Sequence, residues 1–69
     1  MSLQTLAPVY ATHEIRRGHH VVERGWHGRV VDSFPNWSST TYSVEFTADG
    51  DPTTVLTLSG LTERDVAPD

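Results

Sequence analysis

The six residues Thr41–Phe46, T-Y-S-V-E-F, alternate apolar and polar without a break. Tyr42, Val44 and Phe46 share one face and Ser43 and Glu45 the other, the period of a half-buried β-strand and not of a helix. Next comes T-A-D-G-D-P, dense in turn residues: Asp49-Gly50 can supply positive φ, and Pro52 is expected to block continuation of a strand. Thr53–Ser59, T-T-V-L-T-L-S, then reads as another strand, rich in β-branched residues and leucine. A chain that commits more than a quarter of its length to this pattern points to sheet.

The flanking segments extend the pattern. His19–Arg24 (H-H-V-V-E-R) and Trp26–Phe34 (W-H-G-R-V-V-D-S-F) are separated only by Gly25, which predicts a tight hairpin between them. Pro35 ends the second run because it lacks a ladder donor, and N-W-S-S-T makes a polar loop. After Gly60, L-T-E-R-D is expected to form one 3-10 turn capped by Thr62, with Val66 opening a short last strand. The prediction is therefore an all-β fold: a small five-stranded barrel, closed or nearly so, with a single 3-10 turn before the last strand. Closure would also protect strand edges. Residues 1–14 lack either period and are expected to be a loosely ordered N-terminal arm, whose Leu3, Leu6, Val9 and Tyr10 either fray or dock on the body. Residues 15–69 form the domain. The expected core is Val21, Val30, Phe34, Tyr42, Val44, Phe46, Leu56, Leu58, Leu61 and Val66.

At 69 residues the chain lies near the lower size at which a hydrophobic core suffices by itself. With no cysteine there is no disulfide, thiolate metal site or cysteine nucleophile. Apolar runs are too short to span a bilayer, and the first residues lack the basic and apolar regions of a secretion signal. The expectation is a cytoplasmic protein with no membrane contact. A net charge of -4 argues against a nucleic-acid partner held by neutralised phosphates. The charge is uneven: Arg16, Arg17, Arg24 and Arg29 lie early, while six acids against Arg64 alone lie from Glu45 onward. Every fixed cation is an arginine, suited to planar and stacked contacts.

The succession of Gly18, W-H-G-R-V-V, Y-S-V-E-F, T-V-L-T-L and G-L-T-E-R-D-V resembles an SH3-like barrel of the bacterial kind. Over nearly all of Gly18–Val66 the chain resembles the plasmid-borne type II dihydrofolate reductases, tiny SH3-like chains that assemble as tetramers around one central pore. Trp26, Gly28 and Val31 fall on that family's Trp-x-Gly-x-x-Val run, Y-S-V-E-F on its Tyr-x-Val-Glu strand, and L-T-E-R-D-V on its terminal Leu-Glu-Arg-Ile turn. The resemblance implies a pore lined by a Val-Gln-Ile-Tyr strand that binds NADPH and dihydrofolate. Here Val55, Leu56, Thr57 and Leu58 stand in its place. Leu56 has no amide and Leu58 no hydroxyl to offer a ligand, so the framework is matched and the pore chemistry is not. A reductase-like chain would place Thr54, Leu56, Thr57 and Leu58 at the pore or interface, and only then would NADPH be its cofactor. In that register the two leucines face outward. The expected register points them into the core, because an exposed leucine pair on a strand invites aggregation.

Side chains that could carry chemistry are few. His19, His20 and His27, with Glu14 or Glu23, are of zinc-ligand type, but consecutive strand residues point to opposite faces and no His-Glu-x-x-His spacing exists. No metal site is expected. Glu23, Asp32 and Glu45 near His27 are groups of acid–base type, yet a barrel this small encloses only its own side chains. No catalytic residues are assigned, and the chain is expected not to be an enzyme. Arg24, Trp26, Arg29 and Trp37 are the expected partner-binding residues. Trp37 is either an anchor for a protein contact or a plug at one end of the barrel. The function expected is that of a non-catalytic SH3-like barrel acting through protein contacts or self-association as a homo-oligomer. The alternatives are an oligomeric NADPH-dependent dihydrofolate reductase and a weak single-stranded RNA-binding barrel using Arg16, Arg17, Arg24 and Arg29.

Overall fold

The alternation at Thr41–Phe46 lies inside a nine-residue strand that pairs on both sides. The computed structural model describes residues 3–48 and 51–69, with Pro52 described by its backbone alone. Seven strands run in chain order: β1 (Pro8–Ala11), β2 (Ile15–Arg17), β3 (His20–Val22), β4 (His27–Pro35), β5 (Thr40–Ala48), β6 (Asp51–Leu61) and β7 (Val66–Pro68). Five of them form an antiparallel sheet in the order β6-β5-β4-β1-β7, and β2 and β3 make a separate two-stranded ribbon. The described residues contain no helix. The all-β expectation holds; the five-strand count does not. The added strands are β1 and β2. The first lies within the stretch expected as a loose arm, where it sits between β4 and β7 with Val9 and Ala11 fully buried. Four residues, P-V-Y-A, are too few to declare a period.

The sheet is open. β6 and β7 are its two edges, so the closed barrel is corrected to a five-stranded sheet with a ribbon. The 3-10 turn is corrected too. Thr62–Asp65 is one hydrogen-bonded turn, closed by the Asp65 N–H donating to the Thr62 carbonyl at 3.0 Å. Within it the Thr62 N–H and hydroxyl donate to Asp65 Oδ2, and Thr62 Oγ1 accepts from the Arg64 N–H. The Asp65 carboxylate thus caps the Thr62 N–H and the Thr62 hydroxyl caps the Arg64 N–H, a variant of the capping box. The expected Asp49-Gly50 turn lies outside the described residues.

β3 does not pair with β4, contrary to the predicted hairpin. It pairs with β2, Ile15 against Val22 and Arg17 against His20. Gly18, at φ 60°, occupies the first central position of the two-residue Gly18-His19 connection, as a type II′ turn requires. The Glu23–Trp26 turn then redirects the chain. With Gly25 at φ 90°, its N–H donates to the Ala11 carbonyl at 2.8 Å, and the Ala11 N–H donates to the Trp26 carbonyl at 2.9 Å. The chain leaves this turn beside β1 and not beside β3. The ribbon buries Ile15 and Val22 and leaves Val21 facing solvent, which corrects Val21 as a core residue.

The core comprises Val9, Ala11, Ile15, Val22, Val30, Tyr42, Val44, Phe46, Leu58, Leu61 and Val66, with Trp26 and Leu56 packed against it. Phe34 was expected there and is half exposed. A bulge between Val30 and Asp32 inserts Val31 into β4 against β5, and one extra residue exchanges the faces of everything after it. Ser33 takes the inward place that Phe34 would have had. Leu56 and Leu58 take the expected inward register, while Val55 and Thr57 face out. Gly28 is fixed by crowding: a Cβ there would lie 2.9 Å from the Glu45 carbonyl oxygen, Phe46 and Val44.

Candidate functional site

Alternation sends a polar set of side chains to the outer face of the sheet. Tyr10, His27, Thr47 and Val55 form one row across β1, β4, β5 and β6; Pro8, Arg29, Glu45 and Thr57 form the next. His27, Gly28, Arg29, Glu45 and Thr47 line a recess of about 210 Å³ on this face. His27 Nδ1 lies 2.6 Å from Asp69 Oδ2. A carboxylate only accepts, so Nδ1 carries the proton and donates. The pair is exposed, with the Arg29 and Glu45 side chains directly opposite each other on neighbouring strands. Such a surface can hold a polar group at its rim. It does not enclose one.

A second polar cluster ties the β1–β2 connection to the β6–β7 turn. His13 Nε2 donates to Asp65 Oδ1 at 2.8 Å, and His13 Nδ1 lies 2.8 Å from the Glu14 carbonyl. Both partners only accept, so the protonated imidazolium alone satisfies both contacts. The Glu14 carbonyl and then the Asp65 carboxylate raise the His13 pKa above its usual value, against desolvation and Arg17. Burial disfavours the charged Asp65, but hydrogen bonds from the Thr62 N–H, from His13 and from the Thr62 hydroxyl outweigh it and lower its pKa. Thr12 completes the tie, its N–H donating to the Asp65 carbonyl at 2.9 Å and its hydroxyl to the Arg64 carbonyl.

The sequence-predicted residues do not form one patch. Arg24 is exposed in the Glu23–Trp26 turn, Trp26 is half-buried against the core, and Arg29 projects from the outer face of β4. Trp37 lies beyond the opposite end of β4, roughly 30 Å of strand from Trp26. It does not plug the fold: its exposure is 100 %. Its backbone N–H donates to Asn36 Oδ1 at 2.8 Å and the Asn36 N–H to the Ser39 carbonyl at 2.9 Å, which closes the β4–β5 connection.

Thr57 is separated from Leu56 and Leu58 by the sheet itself, and the half-buried Thr54 donates its hydroxyl to Asp51 Oδ2 at 2.6 Å. Arg16 is held by Glu14 at 2.7 Å and Arg17 donates to the Arg16 carbonyl, so the four early arginines are spread over ribbon, turn and sheet. His19 and His20 are exposed at the ribbon turn, and no three metal-ligand side chains come together among the described residues.

Sequence reasoning missed His13–Asp65 and His27–Asp69, which join residues far apart in the chain. The one local signal was the Thr62-x-x-Asp65 spacing. No described helix is long and apolar enough to cross a membrane. The chain matches no family model, no curated protein and no solved structure.

Proposed function

We propose that the chain is a small non-catalytic module of SH3-like strand order that works through protein contact. The likeness is supported by the succession of short strands, by the two-stranded ribbon between the first and second strands of the sheet, and by a last short strand that returns beside the first. It is a likeness of order and not of closure. The observation that carries the function is Trp37. A tryptophan with its whole surface in water, in a turn closed by Asn36 and followed by polar residues, has the form of an interface anchor. Phe34, half exposed three residues earlier near the end of β4, adds further exposed apolar surface. The reading gives NADPH no role, because Leu56 and Leu58, at the positions of the reductases' amide and phenol, point inward.

The test compares proteins retained from a lysate of the source cells by immobilised wild type and by Trp37→Ala. At least one partner is expected to bind the wild type and to lose about tenfold or more in affinity with the variant. Identical retention by the two would overturn the contact reading. Self-association is the second reading, and it is favoured by a separate observation, the unpaired edge of β6.

A further inference from the structure

We infer that the outer edge of β6 pairs antiparallel with the same edge of a second copy of this chain, about a twofold axis at Leu56. The inference deepens the self-association reading and rests on it, but it stands on residues other than Trp37.

Backbone direction comes first. The Val30 N–H donates to the Ala7 carbonyl, and the Val30 carbonyl accepts from the Leu6 N–H. Val30 therefore turns its peptide groups away from β5. In an antiparallel ladder that orientation alternates, so Val44, opposite Val30, turns its groups toward β6 and meets Leu58. Leu56 and Leu58 bond into β5. Val55 and Thr57 present their N–H and C=O groups to the open edge. The register from Val55 to Leu58 against β5 is unbroken, so the alternation holds over that stretch.

The sequence on this edge suits its own copy. Thr53–Ser59 contains no charge, no glycine and no proline, the composition that pairs edge to edge most readily. Centred on Leu56, the run sets Thr53 against Ser59 of the second copy and Val55 against Thr57, and the outward groups of the last two match reciprocally. Within β6 no carboxylate faces another, since Asp51 falls opposite Leu61. Leu56, inward but only half-buried, meets its own counterpart across the axis and covers what β5 leaves open.

The same geometry closes the assembly at two. A filament would need β6 to pair with the other sheet edge, and β7 offers three residues ending in Pro68. A twofold contact uses both copies of β6 and leaves no further long edge.

Sedimentation equilibrium of the full chain tests this over roughly 5 to 500 µM. The average mass is expected to rise from the monomer's 7.7 kDa toward twice that value. Because each copy carries a net charge of -4, association is expected to strengthen between about 10 and 150 mM salt. Two variants strike the edge and spare the fold, to be checked by circular dichroism. Thr57→Lys places an ammonium opposite Glu45 of its own sheet but brings two like charges to about 7–8 Å across the axis. Val55→Pro deletes an outward N–H that β5 does not use. Both are expected to stay monomeric throughout, while Trp37→Ala associates as the wild type does. A wild type that is monomeric over the whole range, edge variants that associate normally, or association weakened by salt would each overturn the inference. None of these results bears on the Trp37 partner.

Discussion

β7 closes one edge of the sheet with three residues, whereas β6 runs along the other with eleven. The short edge is tied down by polar groups. The Asp69 N–H donates to the Pro8 carbonyl, Thr12 bonds the Arg64 and Asp65 carbonyls, and His13 bonds the Asp65 side chain. The long edge is held from within, by Leu58 and Leu61 in the core, with an uncharged run along its outer side. Short, proline-ended and carboxylate-bearing edges are the usual means by which sheets avoid further pairing. β7 is short and ends in Pro68 with Asp69 beside it, whereas the Thr53–Ser59 run of β6 carries neither charge nor proline. That contrast makes the β6 edge a surface in its own right.

The largest effects expected are on the apolar side of the contrast. Leu61→Ala, at a fully buried position on β6, should cost about 2–5 kcal/mol in urea unfolding. Val66→Ala, the one core residue of β7, should cost about 1–2 kcal/mol from the two carbons removed. If the β7 substitution cost as much as the β6 one, the claim that apolar packing holds one edge and polar ties the other would fail.

A smaller effect is expected from pH. His13 has a raised pKa, so its tie is fully present below the usual histidine value of 6.5 and is lost as pH rises through the folded-state pKa. Asp65 has a lowered pKa, so its share is present above 3.8 and is lost as pH falls through the folded-state value. Melting temperature should therefore be higher near about pH 5.5 than near about pH 7.5, with His13→Ala flattening that difference. A slope unchanged by His13→Ala would remove the imidazolium tie from the account of the β7 edge.

The strands are legible in the sequence and the two open edges are not, since the expected fold is a closed or nearly closed barrel. Alternation at Tyr42–Phe46 and the inward leucines of β6 follow from period two, and the all-β class from the lack of any helical period. What escaped is what period cannot encode. Four residues of β1 are too short to show a pattern, yet two neighbouring strands hold them. Val31 adds one residue to β4 and so moves Phe34 outside. Gly25 marked a turn correctly, but a turn does not name its partner, and the chain after it joined β1. In the candidate site, the sequence leaves Trp37 between two readings because burial is decided by the rest of the fold. The histidine pairs span the chain and left no local trace.

Amide hydrogen exchange along β6, followed residue by residue at low and high protein concentration, tests the open edge most directly. In dilute solution the Leu56 and Leu58 amides should be protected by β5 while those of Val55 and Thr57 exchange freely. At high concentration Val55 and Thr57 should become protected as well, with Leu56 and Leu58 little changed. Protection of all four in dilute solution, or exchange at Val55 and Thr57 that ignores concentration, would contradict an edge left open for a second copy.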